Sequence, residues 1–165
     1  MKKLVVLLCM FFPLAVCAQE VKIAFVNSQE VLSALPELSD VETKMATLRD
    51  QYQREFKTMQ DDYQKKYSDF MTQQDSLTEN IKLRRQQEIE DLGQRLQNYV
   101  PVAEQDIQKK QEELYAPLIE KIQKAIKQVG DEKGYTYIIN PQILLYTGSS
   151  AVDATPFVKA KLGIK

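Results

Sequence analysis

The sequence predicts an α+β chain that is mostly α: a small strand-rich body carrying one long, protruding antiparallel helical hairpin. Three observations predict it. Residues 37–133 contain only two glycines, Gly93 and Gly130, and two prolines, Pro101 and Pro117, in a stretch crowded with Gln, Glu, Lys and Leu. That is the composition of long helices. Apolar residues inside the stretch recur every three or four positions, the period of one helix face. The β-branched and aromatic runs fall outside it, in 19–36 and 134–165, and together these flanks make the one candidate globular part.

Residues 1–18 read as an export signal. Met1-Lys2-Lys3 is basic, Leu4 to Phe12 is unbroken apolar, and Val16 and Ala18 stand at the −3 and −1 positions of a cleavage before Gln19. The apolar run is short of the roughly 20 residues a membrane span needs. Leu14-Ala15-Val16-Cys17 also frames a lipoprotein signal, but that motif takes Gly, Ala or Ser where Val16 stands, so no lipid anchor at Cys17 is expected. The two-lysine start and short apolar run suggest a bacterial periplasm. Cys9 and Cys17 both lie in the removed segment, and the chain has no His and no Trp. The mature protein therefore has no disulfide, and its stability comes from packing or association.

Val21 to Val26 reads as a strand, and Asn27-Ser28 followed by Gln29 to Leu32 as a capped short helix that stops before Pro36. The arm opens with Leu38, Val41, Met45, Leu48, Tyr52, Phe56, Met59, Tyr63, Tyr67 and Phe70, one stripe on one helix. A helix of about 35 residues at ~1.5 Å each reaches roughly 50 Å. The stripe breaks over 72–80, where Ser76 and Glu79 have the spacing of a capping box, which predicts the hairpin tip. It resumes through Ile89, Leu92, Leu96, Tyr99/Val100, Ala103, Ile107, Gln111, Leu114, Leu118, Ile122, Ala125/Ile126 and Val129. Pro101 and Pro117 each delete a helical hydrogen bond and should bend this second helix, as tolerated kinks or as joints.

After the arm, Tyr135 to Ile139 and Ile143 to Tyr146 read as two strands bounded by Gly134, Asn140-Pro141 and Gly148. Asp153-Ala154-Thr155-Pro156 opens a last helix through about Leu162. The two flanks together are close to the lower size at which a lone domain holds, and their strands leave edges uncovered. Self-association is the expected remedy, with Ile23, Phe25, Val26, Tyr137, Ile138 and Ile139 as the candidate oligomer core.

Charge and chemistry exclude several functions. Lys+Arg 22 against Asp+Glu 23 gives a net charge of −1, which does not suit wrapping a nucleic-acid backbone. No Gly-rich loop is built to cradle a phosphate, so no nucleotide or other cofactor is expected. Metal binding without His or Cys would need clustered oxygens at loop spacing, and none is present. Carboxylate pairs such as Asp61-Asp62 and Glu112-Glu113 are adjacent and diverge around a helix, so no catalytic constellation forms and an enzyme is not expected.

The order of parts resembles a known family: Lys22-Ile23-Ala24-Phe25-Val26-Asn27 after the signal, a long charged hairpin, then Lys121-Ile122-Gln123-Lys124-Ala125-Ile126-Lys127-Gln128-Val129, Gly134-Tyr135 with hydrophobic strands, and Asp153-Ala154-Thr155 opening the final helix. Over essentially the whole mature chain this resembles the Skp/OmpH family of periplasmic chaperones. The resemblance implies a homotrimer with a small β-barrel-like body and helical tentacles that enclose unfolded outer-membrane proteins without ATP. Members of the family are often basic, but this arm counts 16 Lys+Arg against 20 Asp+Glu, and Arg84-Arg85 alone does not make a lipopolysaccharide site. Tyr52, Phe56, Met59, Tyr63, Tyr67, Phe70 and Met71 are candidates both for client contact and for the seam between the helices; their spacing favours the seam. The competing reading is an exported coiled-coil protein that spaces or tethers envelope components.

Overall fold

The computed structural model describes residues 21–164; the expected export signal, Cys17 included, lies outside the described residues. In chain order the elements are β1 (Ile23–Phe25), α1 (Ser28–Ser33), α2 (Glu37–Gln73), a 3-10 turn (Gln74–Ser76), α3 (Glu79–Lys133), β2 (Tyr137–Ile139), a second 3-10 turn (Pro141–Ile143), β3 (Val152–Asp153) and α4 (Thr155–Leu162). The long antiparallel hairpin is thus α2 with α3, of 37 and 55 residues. At ~1.5 Å per residue they are roughly 55 and 80 Å long.

Both Pro101 and Pro117 lie inside α3, which runs through them as one helix. Each costs one main-chain bond, and the apolar stripe on either side of each proline keeps the helix docked on α2. The capping box expected at the tip is not used. Ser76 Oγ instead donates to the Gln73 carbonyl at 2.7 Å, tightening the end of α2 into the 3-10 turn. The N-cap of α3 is Thr78, in extended backbone, whose carbonyl accepts from Ile81 and Lys82 at 3.0 and 2.9 Å. At its other end α3 stops on Gly134, whose φ of +66° is the left-handed conformation that a residue without Cβ takes at least cost.

β1 is the central strand, flanked on both sides by parallel neighbours in the order β2-β1-β3. Ile23, Ala24 and Phe25 face Tyr137, Ile138 and Ile139, while Ala24 and Phe25 also face Val152 and Asp153. Within one chain the three strands, of two or three residues each, form an open sheet with β2 and β3 as its edges. One expectation is corrected here. The third strand is Val152–Asp153, not Ile143 to Tyr146. Asn140 accepts at Oδ1 from Gln142 N at 3.0 Å and Pro141 starts a 3-10 turn, so the chain leaves the sheet at that point. Ile143 to Tyr146 is left exposed, Leu145 fully so.

Alternation along the sheet puts Ala24 and Val26 on the inner face. They pack with Val31 and Leu35 of the α1 region, Val41 and Met45 of α2, Leu118, Ile122, Ala125 and Val129 of α3, and Ala154 and Val158 at α4. The roots of both arm helices therefore belong to the same core as the sheet. Thr155 joins the pieces. Its buried hydroxyl accepts from Asn27 N at 3.0 Å and its own N–H donates to Asp153 Oδ1 at 2.8 Å, while Ala154 N donates to the Phe25 carbonyl at 2.8 Å. Ion pairs stitch the exterior: Lys159 with Glu30 at 2.7 Å, Lys121 with Glu37, and Lys161 with Glu132.

Candidate functional site: the arm and the outer face of the sheet

The aromatic stripe of α2 meets α3 along the hairpin. Tyr52 and Phe56 close around Tyr99, with ring centroids 6.1 and 6.0 Å away. Tyr63 stacks on Tyr67 at 6.2 Å, and the Tyr63 ring lies where a Cβ on Gly93 would come within 3.4 Å. That is an ordinary van der Waals contact, so the space beside Gly93 does not itself require a glycine. Phe70 is buried near the tip. Tyr52, Phe56, Met59 and Tyr63 are half-buried, and Tyr67 and Met71 are about half exposed. The seven candidates thus fall on a graded surface: Phe70 fills the seam, four line it, and two present apolar area to solvent.

Polar tips of the seam rings bridge the helices. Tyr52 Oη donates to Asp106, and Tyr99 Oη donates to Glu55 Oε2 at 3.0 Å and contacts the Tyr52 carbonyl at 3.3 Å. Burial, and then the Glu55 carboxylate, push the Tyr99 phenol up to about 12. The bond to Asp106 and partial burial likewise raise Tyr52. Nearer the tip Lys66 pairs with Glu88 across the hairpin, which raises the lysine and holds the glutamate below its ordinary value. Arg85 Nη1 donates to Gln73 Oε1 at 3.0 Å. At the root, the Lys121 bond holds Glu37 below its ordinary value. Among the described residues no three His, Cys, Asp or Glu side chains are grouped to hold a metal ion.

A second feature of the arm escaped the sequence reading. Between Gln108 and Gln123 the flank of α3 beside the seam forms a trough of about 600 Å³ whose apolar floor is Tyr115, Ala116 and Ile119. Through Gln111 and Tyr115 it adjoins a cleft of about 320 Å³ that reaches Met45 and Arg49 on α2. The available signal was the pair Tyr115 and Ile119, four residues apart and off the Leu114–Leu118 stripe.

The six candidates for an oligomer core divide between the two faces of the sheet. Val26 is fully buried and Ile138 packs against the chain's own core, so both are occupied within the single chain. Ile23, Phe25, Tyr137 and Ile139 share the outer face by their parallel register. Tyr137 is 60% and Ile23 49% exposed, while Phe25 and Ile139 are half-buried.

The fold defines a class of protein: an α+β scaffold in which one helical arm stands on a small parallel sheet with an uncovered apolar face. The chain belongs to the OmpH-like outer membrane protein family, whose model matches residues 22–162. Its fold is similar to the crystal structure of a candidate outer membrane chaperone, OmpH-like, from Caulobacter crescentus CB15. The TM-score is 0.73 over 85% of this chain and 82% of that one, at 10% identity, so the likeness is one of fold. No curated protein matches the chain.

Proposed function

We propose that this protein is an ATP-independent holdase of the bacterial periplasm, exported by residues 1–18, which encloses unfolded outer-membrane proteins between its arms and prevents their aggregation. The observation that carries the reading is the arm itself: a hairpin tens of ångströms long whose seam rings are only half-buried, offering dispersed aromatic and methionine area rather than one deep pocket. Family membership and the Caulobacter fold support it.

In the same reading the working unit is a homotrimer. The outer sheet face of Ile23, Phe25, Tyr137 and Ile139 and the exposed run Ile143 to Tyr146 supply apolar area and free strand edges that several copies bury together in a closed, barrel-like body. The arms then hang from one hub and bound a shared cavity.

The test is dilution of an urea-unfolded outer-membrane β-barrel protein into the mature chain without nucleotide, with aggregation followed by light scattering. Suppression is expected, and it should decline as whole turns are removed from both helices around 72–80. A protein that binds no unfolded chain would instead be an envelope spacer or tether. One that protects equally well with shortened arms would have its binding surface on the body.

A further inference from the structure

The trough on α3 has a built chemistry that the seam lacks. Its floor of Tyr115, Ala116 and Ile119 is apolar, and Ile119 is about half exposed. Gln108, Gln111 and Gln123 stand along it. An amide side chain both donates and accepts, so these three can satisfy the unpaired N–H and C=O groups of an extended backbone whatever its sequence. Glu112 and Glu120 are the charges of the trough. Neither is in an ion pair among the described residues, and Glu112 accepts only from Gln108 Nε2, at 3.3 Å.

Pro117 falls on the side of α3 opposite Tyr115 and Ile119, since successive residues turn by about 100°. A proline inside a helix favours curvature away from its own side, which here is toward the trough, and α3 continues through it.

We propose that this trough seats an extended segment of an unfolded chain that carries two basic residues four apart with an apolar residue midway between them. Glu112 and Glu120 are separated by eight helical residues, ~12 Å along the axis. Four residues of extended chain cover ~13 Å, with every second side chain on one face. Two basic side chains at that spacing therefore meet the two carboxylates while the apolar residue midway between them, on the same face, rests on the floor. The inference rests on the holdase reading and adds to it a place on the arm and a charge preference.

The probes are two fluorescent 12-residue peptides, one with two lysines four residues apart and a leucine midway between them, the other with glutamates in place of the lysines. Anisotropy at low salt with the mature protein should show the lysine peptide bound about fivefold more tightly, the size that two solvent-exposed ion pairs supply together. Glu112→Gln with Glu120→Gln should erase that preference, while the charge-matched control Asp75→Asn with Glu90→Gln keeps it. Ile119→Ser should weaken both peptides. Equal affinity for the two peptides, or a preference that survives the trough double variant, overturns the proposal. So does an Ile119→Ser protein that changes its oligomeric mass and not its peptide affinity, because the trough is then covered by a second copy. The same preparations enter the aggregation assay. Protection by the unaltered protein without the peptide preference removes the trough alone, and absence of protection removes the holdase reading.

Discussion

The root of the arm and its shaft are built from the same two helices under different rules. At the root, Val41, Met45, Leu118, Ile122, Ala125 and Val129 are almost fully buried against the sheet and α4. Beyond Leu48 the only buried hydrophobic side chains are Phe70 and Ala103, and the rest of the seam is half-wet. Two helices alone can cover one stripe each, whereas the root adds a third layer. Stability should therefore be concentrated at the root, leaving the shaft open to local fraying.

The largest effect should come from carving the root. Ile122→Ala should cost about 2–5 kcal/mol, the range for a buried aliphatic truncation, while Met59→Ala in the half-wet shaft should cost less than ~1 kcal/mol, the size of most surface changes. Chemical denaturation giving equal losses would break the contrast. Phe70→Ala comes next: amide exchange should accelerate around the tip while residues 118–129 stay protected. Global acceleration would mean that shaft and root unfold as one unit.

Tyr99→Phe sharpens the comparison from the shaft side. Losing the bond to Glu55 should cost about 0.5–1.5 kcal/mol. Because the folded phenol is raised to about 12, its contribution is complete below the ordinary tyrosine value near ~10 and is lost as pH rises through the folded value. Ultraviolet titration should show a late-titrating tyrosine that disappears in Tyr99→Phe. The smallest effect belongs to Glu37, whose lowered value works in the opposite direction. Its stabilisation is present above the ordinary glutamate range, about 4.3, and is lost as pH falls through the folded value. The melting-temperature advantage of the unaltered chain over Glu37→Gln should be present at neutral pH and vanish in acid.

The hairpin was legible because an apolar stripe repeating at 3.6 over so many residues admits one reading. Asn27 was also readable, since its side chain accepts from Glu30 N at 3.2 Å in the expected capping geometry. The third strand was not. Ile143 to Tyr146 has strand composition, but composition does not reveal whether an edge is free, and both edges of β1 are taken by other segments. Val152–Asp153 is too short to show any period. Tyr115 and Ile119 were missed for a related reason: one stripe had already explained the helix, and a second, narrower apolar face opposite Pro117 carries a weaker pattern than the seam.

Parallel pairing of β1 with β2 has a kinetic consequence. Ile23 and Tyr137 lie 114 positions apart, and bringing the ends of so long a flexible loop together costs roughly 4 kcal/mol of chain entropy. Once α2 and α3 have zipped from their turn, the same ends are already side by side, and only the short connectors around α1 and Gly134 remain to be ordered. Local pairing forms fast and distant pairing slowly, so the expected sequence is hairpin first, sheet last. A chain emerging from a translocation channel N-terminus first would hold β1 unpaired until nearly all of α3 had followed it.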